Sequence, residues 1–152
     1  MAKTVTVYDP FHKSSIATVD SLQWRVSAYG VLIEQDSILF QINPKYSYYN
    51  LPGGGINFGE SLSDGLIREF LEETGYHVTP TKLIDVRQNY FTYRHLYFQN
   101  ICLFYEVSKV SDRIELIDPA DGDSISAPQI SLKSLKLNQV HPIHQNIVKN
   151  YL

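Results

Sequence analysis

The sequence predicts an α/β (α+β) fold in which a mixed β-sheet is flanked by helices. Segments rich in Val, Ile, Tyr and Phe, which favour strands, occur before and after one amphipathic helical segment, and a short helical segment ends the chain. The segments lack the regular βαβ alternation of a fully parallel sheet. No linker rich in Gly, Ser or Pro divides the 152 residues, so we expect a single domain over residues 1–152.

The segments before the glycine run predict strands. Residues 1–20 alternate weakly and are expected to form an N-terminal arm or an added strand. Residues 24–33 and 37–42 are rich in strand formers and are separated by a short polar turn, which predicts a hairpin. Residues 43–50 contain Pro and Asn and predict a loop.

A helix is predicted to begin near Ser61 and to end at Gly75. Ser61 followed by Asp64 resembles a capping box, and glycine suits the left-handed conformation that ends many helices. Leu62, Leu66 and Phe70 recur every four residues and form an apolar stripe that would face the sheet.

The segments after this helix predict further strands and a second helix. Residues 81–107 are rich in Tyr, Phe, Ile and Val and predict two or three strands, whereas residues 118–128 predict a loop. Residues 142–152 predict a short helix with Pro142 in its first turn and with Ile143, Ile147 and Tyr151 on one side.

Composition limits the classes of partner. The formal net charge of -3 provides no basic surface for nucleic acid, and an anionic substrate would need a local positive charge. Cys102 is the single cysteine, so we expect no internal disulfide and a buried thiol within an apolar strand. No signal peptide and no membrane span is recognisable, and we therefore expect a cytoplasmic protein.

Three glutamates lie close together on the predicted helix. Glu69, Glu72 and Glu73 stand at positions i, i+3 and i+4, so they share one face and repel each other. Arg68 can reach Glu72 but cannot balance three negative charges. A divalent cation would, and oxygen ligands suit Mg²⁺ or Mn²⁺ rather than zinc. The alternative interpretation is a solvated acidic helix face.

A glycine run precedes the acidic helix. Gly53, Gly54 and Gly55 would let a backbone come close to a phosphate held by metal on the helix. A P-loop is excluded because the Lys and the hydroxyl residue that should follow the glycines are missing. An EF-hand starting at Asp118 is excluded because its twelfth position is Gln129.

These residues resemble the signature of the Nudix (MutT-like) hydrolase family, GX5EX7REUXEEXGU, in which U is a bulky apolar residue. The matching positions run from Gly54 to Tyr76, and Tyr76 is less apolar than the usual final residue. The residues that match between these ends are Glu60, Arg68, Glu69, Phe70, Glu72, Glu73 and Gly75.

The resemblance implies an α/β/α sandwich and a pyrophosphohydrolase that cleaves a nucleoside diphosphate linked to another group. It implies that Mg²⁺ or Mn²⁺ activates water for attack on phosphorus. The residues expected to hold metal are Glu69, Glu72 and Glu73, with Glu60 supporting the loop or reaching metal through water. Arg68 is expected to orient a glutamate, and Gly53, Gly54 and Gly55 to shape the loop near the phosphates.

The sequence constrains two roles less: the general base of catalysis and the side chains that bind the substrate. In the implied family the base is a glutamate of the signature or an acid from a later loop; Asp121 and Asp123 are the candidates from the loop, and we favour Asp123. Phe58 and Tyr93 are candidate substrate-binding aromatics. A tyrosine at the distance of Tyr93 after the signature is associated with dinucleoside polyphosphate enzymes of the family.

Several alternatives stay open at this point. The substrate is a nucleoside triphosphate, an oxidised nucleotide, a dinucleoside polyphosphate or a nucleotide sugar. The oligomeric state is open as well, with a homodimer among the options. A non-catalytic Nudix domain that senses a nucleotide is the alternative function. A Nudix-fold isomerase would need a reactive cysteine, which the setting of Cys102 disfavours.

The histidines expected to be surface or strand residues rather than ligands are His77, His95, His141 and His144.

Overall fold

A computed structural model describes residues 2–115 and 126–152. Within these ranges the chain forms strands and two α-helices, whose order is that of a mixed α/β fold. The strands are β1 (Thr4–Tyr8), β2 (Ser14–Thr18), β3 (Leu22–Val31), β4 (Ile33–Glu34), β5 (Ser37–Leu39), β6 (Gly53–Gly55), β7 (Tyr76–Tyr93), β8 (Leu96–Ile114) and β9 (Gln129–Ser131). The helices are α1 (Leu62–Thr74) and α2 (Pro142–Val148).

The main sheet has six strands in the order β2-β1-β7-β8-β3-β6, and a second sheet has the order β4-β5-β9. Strands β7 and β8 form a long antiparallel hairpin, and β3 runs parallel to β8. The short strand β6 pairs antiparallel with β3 at the edge of the main sheet. Parallel and antiparallel pairs therefore coexist, as the sequence predicts.

Each face of the main sheet is covered by one helix. Leu66 and Phe70 of α1 are fully buried and pack against Ala28 of β3. On the opposite face Ile147 of α2 packs in a separate core cluster that contains Phe104 of β8. Two cores on two faces of one sheet make the α/β/α sandwich, which confirms the expected fold.

The predicted ends of α1 are confirmed. Ser61 Oγ accepts a hydrogen bond from Asp64 N at 3.0 Å, and Gly75 has a φ of 75°. A Cβ on Gly65 inside the helix would lie 2.5 Å from Ile56 Cδ1. Glycine at this position lets α1 pack closely against the chain that leads into it, which offsets its helix cost of about 1 kcal/mol.

The strands differ from the predictions in their boundaries. The segment 24–33 belongs to two sheets, because β3 ends at Val31 and β4 pairs with β5 in the second sheet. The predicted hairpin is therefore confined to β4 and β5. Of the predicted loop 118–128, residues 118–125 lie outside the described residues.

The N-terminal segment is an added hairpin at the edge of the main sheet. Strands β1 and β2 pair antiparallel, and β1 meets β7 in parallel with Tyr8 opposite Phe91. Val7 and Ala17 are buried, which anchors the hairpin to the sheet. In the described ranges no helix has the length and apolar character needed to cross a membrane.

Candidate active site

The glycine strand β6 packs against both β3 and α1. Gly53 has a φ of 138°, and a Cβ there would lie 2.7 Å from Tyr29 Cα. A Cβ on Gly54 would lie 2.7 Å from Glu69 Cδ. The absence of side chains thus allows the Glu69 carboxylate to rest directly on the backbone of the strand.

Glu73 is bound to the start of the same strand. Its Oε2 accepts a hydrogen bond from Gly53 N at 2.8 Å. Burial raises the pKa of Glu73 well above its ordinary value, the Gly53 N–H opposes this, and the charges of Glu69 and Glu72 add to the rise. An environment that disfavours three adjacent negative charges would favour a bound cation.

Arg68 partly neutralises the other two acids. Its Nη1 lies 3.1 Å from Glu69 Oε1 and 3.3 Å from Glu72 Oε2. Burial raises the pKa of Glu69, and Arg68 opposes that rise. The Glu72 side chain is 49% exposed, so it faces solvent and is accessible to an ion or a substrate.

Arg68 also joins the helix to the preceding loop. Its Nε lies 2.6 Å from Glu60 Oε1, and its Nη2 donates to Gly55 O at 3.0 Å. Glu60 Oε2 accepts from Asn57 N at 2.8 Å. The hydrogen bonds from Arg68, followed by that from Asn57, lower the pKa of Glu60 to about 2. Glu60 and Arg68 thus hold the loop against α1.

Glu69 and Glu73 contact the glycine strand, whereas Glu72 faces solvent, so the three glutamates do not surround a common point. Within residues 2–115 and 126–152 no group of three or more His, Cys, Asp or Glu side chains is arranged to hold a metal ion. The set of donors nevertheless fits a hard divalent cation, because it consists of carboxylates. Burial raises the pKa of Glu69 and Glu73, and the neighbouring negative charges add to the rise.

A cleft of about 680 Å³ opens on the α2 side of the main sheet, and Gly53 and Glu73 line it. Its floor comes from β3 and β8. Ser27 Oγ donates to Asn100 Oδ1 at 3.0 Å, and Asn100 is almost fully buried. Further lining residues come from the hairpin β1–β2, from strand β7 and from the start of α2. The acidic helix end therefore meets a cavity large enough for a nucleotide.

Arg25 supplies the positive charge at this cleft. Its guanidinium lies against the strand β6, because a Cβ on Gly55 would be 2.6 Å from Arg25 Cζ. It also lies 5.9 Å from the ring centroid of Phe91 and 5.8 Å from that of Phe98. In the described part of the chain it forms no ion pair within 4.0 Å. Arg25 was not among the site residues predicted from the sequence, although a charged residue inside a strand-forming segment was a usable signal.

Two histidines were wrongly expected at the surface or in strands. His144 of α2 is 1% exposed, and burial lowers its pKa well below the ordinary value. His141 precedes α2 as its N-cap, and burial lowers its pKa to about 4. Both line the cleft as neutral rings. His77 is half exposed and pairs with Glu115 at 3.0 Å, and His95 is exposed in the turn between β7 and β8.

Of the two aromatic residues predicted to bind substrate, one lines the cleft and the other does not. Tyr93 lines the cleft, whereas Phe58 is fully exposed and is not among its lining residues. Asp121 and Asp123 lie outside the described residues. Cys102 is buried as expected, and burial raises its pKa to about 12, so its thiol is not activated.

Comparisons with known proteins place this geometry in context. A protein-family model described as NUDIX domain matches residues 23–151. A Bacillus subtilis (strain 168) protein named "Putative 8-oxo-dGTP diphosphatase" is 37% identical over 73 residues, which covers 47% of this chain and 49% of that protein. The alignments span about half or less of the length of the curated relatives.

Solved structures share the fold. A NUDIX hydrolase from Nitrosomonas europaea has a TM-score of 0.64 and 21% identity, over 85% of this chain and 88% of that chain. The MutT protein from Methanosarcina mazei Go1 has a TM-score of 0.63 and 21% identity, over 86% of this chain and 94% of that chain. At this identity the likeness concerns the fold alone.

Proposed function

Because the chain belongs to the Nudix family, whose domain model matches residues 23–151, we propose that it hydrolyses a phosphoric anhydride bond in a nucleoside diphosphate derivative. One observation carries this proposal. The acidic end of α1 packs on the glycine strand at the edge of a nucleotide-sized cleft, and Gly53 and Glu73 belong to both features. A diphosphate in this position would meet carboxylates, backbone and Arg25 together.

Glu69, Glu72 and Glu73 would hold Mg²⁺ or Mn²⁺, with Glu60 adjacent to them. When bound, a divalent ion neutralises the charge of the diphosphate and lowers the pKa of a water molecule bound to it. Arg68 would act as a positioning residue, because it contacts Glu60, Glu69 and Glu72 rather than lining the cleft. Gly54 would keep the backbone close enough for the Glu69 carboxylate to remain at the strand.

Arg25 would bind the phosphates of the substrate. It is a cation of the cleft wall that lies beside the glycine strand, and a guanidinium matches the geometry of phosphate oxygens. The rest of the nucleotide would then extend along the cleft, where Tyr93 provides one aromatic side chain. Asp123 as general base stays a prediction, as do a single domain over residues 1–152, a cytoplasmic location and a homodimer.

We propose an oxidised purine nucleoside triphosphate as the first substrate to test. The support is the partial sequence match to the Bacillus subtilis relative, whose name includes 8-oxo-dGTP. Ordinary triphosphates, dinucleoside polyphosphates, nucleotide sugars and ADP-ribose belong in the same comparison, because all present a diphosphate linked to a nucleoside.

The direct test is a screen for release of phosphate, pyrophosphate or nucleoside monophosphate from these compounds with Mg²⁺ and with Mn²⁺. We expect metal-dependent turnover of at least one compound, and turnover lower by about 100-fold or more for the Glu72→Gln variant. No turnover by a folded protein on the whole panel would contradict the hydrolase proposal. Tight nucleotide binding without turnover would instead favour the sensor function.

A further inference from the structure

Unpaired polar atoms gather in the cleft. Among residues 2–115 and 126–152, the buried side-chain polar atoms without a hydrogen-bond partner are His12 Nδ1, Gln41 Oε1 and His144 Nδ1. All three residues line the same cleft. Buried polar atoms in proteins are nearly always paired with protein or with water, so three such atoms in one cavity are free to bind water or a ligand that displaces it.

Two of these residues are almost completely buried. Gln41 is 8% exposed and His144 is 1% exposed. The backbone of Gln41 is fixed by a pair of hydrogen bonds with Asn50, at 2.7 and 2.9 Å. The amide oxygen of Gln41 only accepts hydrogen bonds, and the imidazole of His144 offers a nitrogen that donates or accepts according to its tautomer. The matching ligand must therefore carry at least one N–H or O–H donor.

The third residue comes from the N-terminal hairpin. His12 stacks on Tyr8 with ring centroids 4.6 Å apart and an interplanar angle of 10°. The His12 ring also lies 5.8 Å from the ring of His141, at the start of α2. The hairpin thus brings a ring from the sheet edge to the helix on the other side of the cleft. It precedes residue 23, where the match to the family begins.

The conformation of the hairpin turn fixes this ring. His12 has a φ of 62°, a left-handed conformation that residues other than glycine rarely adopt. Asp9 Oδ1 accepts hydrogen bonds from Phe11 N at 3.0 Å and from Lys13 N at 2.7 Å. His12 N donates to Asp9 O at 2.8 Å. The turn therefore holds the His12 ring in place at the cleft.

We propose that the hairpin β1–β2, together with Gln41 and His144, forms a recognition site for a nucleobase. The stacked rings of Tyr8 and His12 would contact the base, and the unpaired atoms would bind its hydrogen-bonding edge. Selectivity among nucleotides would then depend in part on the hairpin, which lies outside the part of the chain that matches the family. This inference rests on the proposed function, because it assumes that a nucleotide enters the cleft.

The chemistry of the site favours a base over a sugar or a lipid chain. Aromatic faces stack on planar rings, and an acceptor beside imidazole nitrogens suits the alternating N–H and carbonyl groups of a base edge. The cleft volume of about 680 Å³ also leaves room for the sugar between the base and the diphosphate position at Gly53 and Glu73.

The test measures equilibrium binding, which does not require turnover. Calorimetry on the full chain would compare guanosine, adenosine, cytidine, uridine and 8-oxo-deoxyguanosine monophosphates with ribose 5-phosphate, which lacks a base. The variants are His12→Ala and Gln41→Met. The matched controls are Ile16→Ala, an exposed residue of the same hairpin, and Gln129→Met, an exposed glutamine on β9. Circular dichroism melting would confirm that each variant folds.

We expect at least one nucleoside monophosphate to bind about tenfold or more tightly than ribose 5-phosphate, which corresponds to one good polar contact. His12→Ala and Gln41→Met should each remove most of that difference, while the controls stay within about twofold. Equal affinity for all the monophosphates and ribose 5-phosphate would overturn the inference, as would controls that lose as much affinity as the variants.

The outcome is separable from that of the proposed function. Base-dependent binding without hydrolysis would support this site and contradict the enzyme. Hydrolysis with no dependence on the base would support the enzyme and contradict this site.

Discussion

Glu73 Oε2 accepts a hydrogen bond from the backbone N–H of Gly53 at 2.8 Å. This contact joins the last turn of α1 to the first residue of β6, and both residues line the cleft. The glycine strand and the acidic helix are therefore joined at the cleft edge.

Replacing either Glu72 or Glu73 by Gln should lower kcat by about 100-fold or more, because each change removes a carboxylate proposed to hold metal. The Glu72 side chain is 49% exposed, so that variant should keep its fold. Steady-state hydrolysis of the best substrate measures the effect. Glu115→Gln is the control, because Glu115 pairs with His77 instead. Wild-type turnover in either variant would contradict the assignment.

Gly54→Ala should lower kcat by about 100-fold, because the new Cβ would lie 2.7 Å from Glu69 Cδ and would displace this carboxylate. Gly59→Ala is the matched control, in the loop that follows strand β6. A Cβ there meets no atom within 4 Å, although its φ of 87° makes the variant less stable. Melting temperature and kcat should therefore distinguish the two variants. Gly59→Ala should lower the melting temperature alone, whereas Gly54→Ala should lower kcat. Equal kcat values in the two variants would contradict this prediction.

Mg²⁺ or Mn²⁺ should raise the melting temperature, by the equivalent of about 2.7 kcal/mol at 100 times the dissociation constant. Glu69→Gln should abolish this increment. Without metal the same variant should be at least as stable as the wild type, because burial raises the pKa of Glu69 and thus disfavours its charged form. Scanning calorimetry with and without metal checks both parts. A metal increment that survives in Glu69→Gln would remove this residue from the site.

Arg25→Gln should raise KM by about tenfold or more, because it removes the charge proposed to bind the diphosphate. Arg87→Gln changes the net charge equally on strand β7, where Arg87 pairs with Asp85 at 2.7 Å. This control should leave KM within about twofold. Similar changes in both variants would show that net charge, and not the position of Arg25, controls binding.

Acidification should remove the stabilisation provided by the Glu60–Arg68 pair. The pKa of Glu60 is lowered from its ordinary value of 4.5 to about 2 in the folded protein. The pair's contribution is therefore fully present above pH 4.5 and is lost as the pH falls towards about 2. The difference in unfolding free energy between wild type and Glu60→Gln, measured with urea, should shrink across this range. A difference that grows with acid would contradict the pairing.

Local signals in the sequence predicted α1 and its neighbourhood well. The capping serine, the spacing of Leu66 and Phe70 and the terminal glycine act within one or two helical turns, so short-range rules suffice. The proximity of Glu69 to the glycine run also follows from the short connection between β6 and α1. These features carried the resemblance to the family.

Long-range contacts explain the failures. His144 was expected at the surface or in a strand, but α2 packs it against Tyr29 of β3, with ring centroids 4.7 Å apart. The approach of Arg25 to Gly55 depends on the pairing of β3 with β6 across the sheet edge. In both pairs, His144 with Tyr29 and Arg25 with Gly55, the two residues are far apart in sequence. Periodicity predicts only which face of its element a side chain occupies, so it could not predict either contact.

The sequence by itself determined the acidic helix, its caps and the glycine strand that precedes it, because those features arise from residues close together in the chain. Only the tertiary structure decided where the cleft lies and which side chains line it. Those side chains come from the N-terminal hairpin, the main sheet and α2, and they meet because each element buries its apolar residues against the same sheet. Burial, rather than sequence spacing, therefore brings Arg25, Gln41 and the cleft histidines together.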